Sequence, residues 1–343
     1  MPRVHFMCIS LNLTIILSHA FNMDSVPHAF FDAVFIQLDK WDLMFLKKIS
    51  SHWSNEATIH YNERRELECY LTVDFQGNQV GIEISDYHNR TVACSALNVK
   101  HDRIKSVVLE YDSVSDHPEK PSLECFKKKF FPVLHLLAFK CLFSSVQYKV
   151  FPQDVSNIFN VLQECNQFTE IHISNSGEKC AKFVRRQIDL GNVRRLTLCN
   201  MYGDCKWPAT VQASLKSLVK SPKLRELDLS HSNLTLDLAM VTSLVERFLE
   251  GYSAIKVVGK PSFPVRRLQG LDAKEQRSYK DNRTYGELFE WTRANALVKS
   301  AAGMIMIASH LRKPRKASQA VINICIPNGL EDTLKGMTVP LLH

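Results

Sequence analysis

Val193–Asn200 reads VRRLTLCN, and Leu224–Leu234 reads LRELDLSHSNL. In both, an apolar residue is followed by another three positions on and a third two beyond that: Val193, Leu196, Leu198, then Leu224, Leu227, Leu229. The closing apolar-x-apolar pair is a strand signal, because alternate side chains of a strand face opposite sides. A polar residue after it turns the chain. The same pattern occurs at Ile104/Val107/Leu109, Phe131/Leu134/Leu136, Phe168/Ile171/Ile173 and Tyr252/Ile255/Val257. Successive central residues lie 27, 37, 25, 31 and 28 positions apart, so one short unit recurs through the middle of the chain.

The intervals between copies carry helical spacing. Pro152-Gln153-Asp154 leads into Val155, Ile158, Val161 and Leu162. Val211, Leu215, Leu218 and Val219 follow Pro208 and stop before Pro222, and Val241, Leu244, Val245, Phe248 and Leu249 stop at Gly251. A strand–helix unit cannot bury its apolar face alone, so such units stack. The pattern resembles leucine-rich repeats, which implies an α/β solenoid over residues 104–259 with a curved parallel sheet. The longest step is expected to hold an inserted loop, Leu142 to Phe151.

If Leu196 and Leu198 are buried, Arg195, Thr197 and Cys199 point the other way. Equivalent positions on the flanking copies are Glu170, His172, Ser174 and Glu226, Asp228, Ser230. Glu170, His172, Arg195, Thr197, Glu226 and Asp228 are therefore the candidate substrate-binding residues. Lateral pairing of Glu170, Arg195 and Glu226 with one another is the plainer role for the same charges. Upstream, Leu67, Cys69, Leu71, Val73 and Phe75 alternate with polar residues, and Gly77-Asn78 turns the chain into Val80, Ile82 and Ile84. This predicts a hairpin within a junction at 61–103.

The N-terminal stretch Val26–Trp53, VPHAFFDAVFIQLDKWDLMFLKKISSHW, has the spacing of two short amphipathic helices broken at Asp39-Lys40. Val26-Pro27, Phe30-Phe31, Leu38, Asp42-Leu43, Ile49-Ser50 and Trp53 follow one another as in an F-box, which residues 23–60 resemble; Ala29 departs from the Glu common there. The opening Met23-Asp24-Ser25-Val26-Pro27 is similar to a nematode-expanded F-box-like family. The resemblance implies that Val26, Pro27, Phe31, Val34, Leu38, Leu43, Leu46, Ile49 and Trp53 dock the adaptor that links F-box proteins to a cullin scaffold. Some of these must close the unit's own core, and the sequence does not divide them. The implied function is non-enzymatic: substrate recognition for an SCF-type ubiquitin ligase, with the repeats holding an unidentified protein substrate. The alternative is a repeat-based binding scaffold unrelated to ubiquitin, in which the helices only cap the first repeat.

The remaining features constrain rather than decide. The net charge is +8 over 343 residues, and residues 260–343 alone hold 14 Lys/Arg against 7 Asp/Glu. That basic, partly disordered region includes His310–Lys316, a candidate nuclear-import run without the interleaved aromatics that would stack on nucleic acid, so no nucleic-acid partner is expected. The ten cysteines show no metal-knuckle or redox spacing, which points to a reducing compartment, cytoplasmic or nuclear. Residues 1–22 have weak signal-peptide features and are read as an upstream extension before Met23, a secreted chain being the rival view. No apolar run is long enough to span a membrane. No phosphate loop, nucleophile elbow, paired-His metal spacing or cysteine-nucleophile signature occurs, so neither catalysis, metal nor cofactor is expected.

Overall fold

The computed structural model describes residues 27–48, 52–145, 157–200, 205–249, 256–264 and 267, together with the strands at 275–280, 284–292, 304–312 and 320–325. Three helices come first: α1 (His28–Ile36), α2 (Lys40–Leu46) and α3 (His52–Glu63). Pro27 enters α1 in extended conformation with its φ preset near −60°. Asp39 caps α2 by accepting from the Asp42 N–H at 2.9 Å, and Asp42 returns a bond to the Asp39 N–H at 3.4 Å. Phe31, Phe35, Leu43, Trp53 and Ala57 close a small core of their own, with the Trp53 ring edge-on to Phe31 at 5.0 Å and to Phe35 at 5.6 Å. Beyond Trp53 the sequence reading found no helix. Along α3 only Trp53, Ala57 and His60 face inward, and the buried His60 stands where the pattern needs an apolar residue.

A sheet follows, built from β1 (Arg65–Val73), β2 (Val80–Asp86), β3 (Asp102–Tyr111), β4 (Ala138–Ser145), β5 (Phe168–Ser174), β6 (Arg195–Cys199), β7 (Glu226–Asp228), β8 (Thr235–Leu236) and β9 (Lys256–Pro261). From β10 (Glu275–Lys280), β11 (Thr284–Thr292), β12 (Met304–Arg312) and β13 (Ala320–Cys325) it gains four more strands, in a region read from sequence as partly disordered. The order is β2-β1-β3-β4-β5-β6-β7-β9-β13-β12-β11-β10, with β8 beside β9. β1, β3, β4, β5, β6, β7 and β9 run parallel, so from β3 to β7 each strand lies next to the one before it in the chain. The chain is thus mixed α/β with a mostly parallel sheet. The predicted hairpin is present as β1–β2, and through β1–β3 it belongs to this same sheet. The outer edge of β2 is covered, because the Val80 and Ile82 N–H groups donate to Pro121 and Glu119 carbonyls at 3.0 and 2.9 Å.

The register lines up one buried row across the parallel strands: Val107, Phe143, Ile171, Leu196, Leu227 and Val257. Over it pack α5 (Asn157–Leu162), α6 (Glu178–Asp189), α7 (Ala209–Leu218) and α8 (Leu238–Leu249), which bury Phe159, Phe183, Leu215 and Leu244 in the same core. Two predicted copies are corrected. Phe131, Leu134 and Leu136 lie on α4 (Phe131–Leu137), and the strand of that unit is β4, whose last four residues, Leu142 to Ser145, take up the start of the expected loop; residues 146–151 lie outside the described residues. Pro132 at the start of α4 suits a first helical turn, where its missing N–H costs nothing. At the last copy Val257, not Ile255, aligns with Leu227; residues 250–255 lie outside the described residues.

The helical unit is anchored to the sheet by basic side chains. Arg64 Nη2 donates to the Phe35 carbonyl at 2.7 Å, and Arg103 Nη2 to the Ile36 carbonyl at 2.6 Å, so two buried guanidinium groups meet the C-terminal end of α1. Lys140 adopts a left-handed φ of 47° beside a register irregularity in β4, and its ammonium lies 2.9 Å from Asp39 at the N-terminus of α2. Arg65 forms a two-pronged bond to the fully buried Asp102, at 2.7 and 2.6 Å, pinning the starts of β1 and β3 together.

Candidate functional site

The helical unit divides the residues that its sequence left undivided. Phe31 and Leu43 are wholly buried and Trp53 nearly so, which removes all three from any contact with a partner. Val34, Leu38 and Leu46 are half-buried against the same core, and Pro27 is exposed. Val26 and Ile49 lie outside the described residues. The outward aromatic side chains of α1 and α2 are ones not nominated from sequence: Phe30, 51 % exposed, Trp41, 64 %, and Phe45, 46 %. A usable signal existed. Leu43 must face inward on a helix this short, and residues two before and two after it are rotated about 200° away, to the outer side. Trp41 and Phe45, four apart, therefore share one face.

The second surface is the uncovered face of the sheet. Glu170, Arg195, Glu226 and Lys256 stand side by side on β5, β6, β7 and β9. Arg195 Nη1 is 3.1 Å from Glu170 Oε2, Arg195 Nε is 3.9 Å from Glu226 Oε2, and Lys256 Nζ is 2.8 Å from Glu226 Oε1. Signs thus alternate along a continuous ladder of partly exposed pairs, each worth about 0.2–1 kcal/mol. The next row holds His172, Thr197 and Asp228, with Asp228 accepting from the Ser230 N–H and hydroxyl at 2.9 and 2.7 Å. Ser174 and Cys199 were expected outward but are buried, because the following loops fold over that end: the Trp207 indole N–H donates to the Cys199 carbonyl at 3.2 Å.

Toward β2 the same face forms a hollow of about 300 Å³ lined by Tyr70, Thr72, Glu83, Glu110, Asp112 and Asp116. Glu83 lies directly across from Tyr70, and Glu110 beside Thr72, so the register brings carboxylates of β2 and β3 to either side of β1, and Asp112 and Asp116 of the following loop join them. Tyr70 donates to Glu68 at 2.8 Å, and that bond holds its phenol above the ordinary tyrosine range. Sequence reasoning missed this hollow because its residues come from β1, β2, β3 and the loop after β3, and no linear spacing joins them.

Two further groups bear on chemistry. Cys69, Cys94, Cys125, Cys141, Cys165, Cys180, Cys199 and Cys205 are all free thiols. Burial pushes the Cys165 and Cys180 thiols up to about 11 and Cys94 to about 12, so these three do not supply a thiolate at neutral pH. Asp32, Glu56 and His60 converge between α1 and α3, with donor atoms within 4.8 Å of one another. A paired-histidine spacing does not reveal this group; its only linear signal on α3 is Glu56 and His60, four apart on one helix face.

No helix among the described residues is long and apolar enough to cross a membrane. Fold and surfaces define an α/β chain with a mostly parallel sheet, an open charged face and an N-terminal three-helix unit. Compared with known proteins, the chain matches no protein family and no curated protein.

Proposed function

We propose that the protein is the substrate-recognition subunit of an SCF-type cullin–RING ubiquitin ligase, an F-box-like unit joined to leucine-rich-repeat-like stacking. One observation carries the reading: the three helices complete their own core with Phe31, Phe35, Leu43 and Trp53, yet present Trp41 and Phe45 outward. Exposed aromatics on a helix are favoured anchors for a partner's groove. The open sheet face holds the substrate, whose basic side chains suit the acidic hollow. The protein contributes proximity, and other subunits transfer ubiquitin.

Full-length protein retains the cullin-linking adaptor on co-purification, and Trp41→Ala/Phe45→Ala weakens that binding at least about 30-fold, as loss of a hot spot of about 2 kcal/mol does. Undiminished binding by the folded double variant would remove the docking surface from the proposal. Arg195→Glu places like charges across three strands and is expected to release substrate while leaving the adaptor bound. Retention of every captured partner would exclude the ladder as the contact. A second reading, a binding scaffold capped by the helices and unrelated to ubiquitin, is favoured by the Arg64 and Arg103 bonds to α1. Absence of adaptor binding by well-folded wild-type protein selects it.

A further inference from the structure

His28 and Asp32 lie four apart on α1, and Glu56 and His60 four apart on α3. Residues at that spacing share a helix face. The two pairs meet: His28 Nδ1 is 3.2 Å from Glu56 Oε1, and His60 Nε2 is 2.9 Å from Asp32 Oδ1. The His60 side chain is wholly buried, the Glu56 side chain is 12 % exposed, and His28 at 66 % leaves a path from solvent. His60 Nδ1 has no hydrogen-bond partner, so this imidazole is buried with a single polar engagement, directed into the cluster.

We propose that His28, Asp32, Glu56 and His60 form a zinc(II) site that staples α1 to α3. Two imidazole nitrogens and two carboxylate oxygens are a donor set that the ion accepts in tetrahedral geometry at about 2.0–2.2 Å. Such donors sit about 3.3–3.6 Å apart around the metal. The Asp32, Glu56 and His60 atoms already lie within 4.8 Å of one another, so rotations of their side chains close the site without moving either helix. Two carboxylates balance the charge of the ion. His60 binds as neutral imidazole through Nε2, with its proton on Nδ1. Lys100 also lies 2.9 Å from Asp32 Oδ1, and its ammonium competes for that oxygen. It is 40 % exposed, so on zinc uptake it turns to water. A salt-bridge cluster needs only the pairs, whereas three donors from two helix faces within 4.8 Å of one another, with His28 beside Glu56 to supply the fourth, are what a metal requires. The proposal stands whether or not the helical unit docks an adaptor.

The test is zinc titration of full-length protein stripped with EDTA, followed by calorimetry, with cobalt(II) as the spectroscopic probe. Expected are uptake of one equivalent in the micromolar range or tighter, a zinc-dependent rise in melting temperature, and tetrahedral cobalt bands without a thiolate charge-transfer band. His28→Ala/Glu56→Gln spares the buried imidazole and keeps the zinc-free melting temperature, but binds at least tenfold more weakly. Lys100→Ala removes the competing cation and binds more tightly. No uptake, unchanged affinity in the His28/Glu56 variant, or a thiolate band reporting cysteine ligands would each overturn the site.

Discussion

Phe183→Ala is expected to lower the stability of the protein by about 3–5 kcal/mol. The Phe183 ring lies 5.0 Å from Phe143, 5.5 Å from Phe159 and 6.0 Å from Phe168, and all four side chains are at most 1 % exposed. They come from β4, α5, β5 and α6, so a single cluster joins the two strands to the two helices above them. Truncation removes the transfer free energy of a ring and leaves a cavity that its rigid neighbours cannot fill. With an unfolding entropy of about 2.1 cal/mol/K per residue, a loss of this size lowers the melting temperature of so long a chain by about 4–7 °C. Urea unfolding checks it: the midpoint drops with the slope unchanged, and Phe183→Leu loses less than half as much. A melting temperature unchanged within error for the alanine variant would show that the cluster does not hold the two layers together.

Arg103→Met is expected to cost about 2–4 kcal/mol, by a different route. The guanidinium is 3 % exposed and donates to the carbonyls of Ile36, Val99, Lys100 and Asp102. Burial and the neighbouring Arg64 depress it to about 10, which still leaves it charged at neutral pH. Methionine fills much of the volume but leaves those carbonyls without their donor. Lysine does not rescue, since one ammonium cannot serve carbonyls on α1 and on the approach to β3 together. The loss falls on the joint between helices and sheet. Hydrogen exchange is expected to quicken throughout α1–α3 while β4–β6 stay protected. Uniform quickening across the chain would mean that the clamp stabilises the whole fold rather than the joint.

Much of the sheet was legible because β5, β6 and β7 alternate cleanly: Leu196 and Leu227 could only be buried if Arg195 and Glu226 were not. The unit containing β4 misled because Phe131-x-x-Leu134-x-Leu136 satisfies the strand pattern and a helical face equally, and short apolar runs do not distinguish them. Around Trp53 the pattern located the helical unit but not its division. Core-facing and outward residues are both apolar, and only the inward direction of Leu43 separates them. The acidic hollow and the His28/Asp32/Glu56/His60 convergence were invisible for a third reason. They arise from register and from helix crossing, which no spacing along one element encodes.

The order of strands has a consequence for how the chain is made. Because β3, β4, β5, β6 and β7 each lie beside the strand just before them, a growing polypeptide always finds its docking edge already built. Contacts between near neighbours in sequence favour rapid, stepwise assembly. Vectorial synthesis thus matches the architecture: each strand–helix unit can settle as it leaves the ribosome, and a chain interrupted after β6 ends on a finished layer rather than on an orphaned half-sheet.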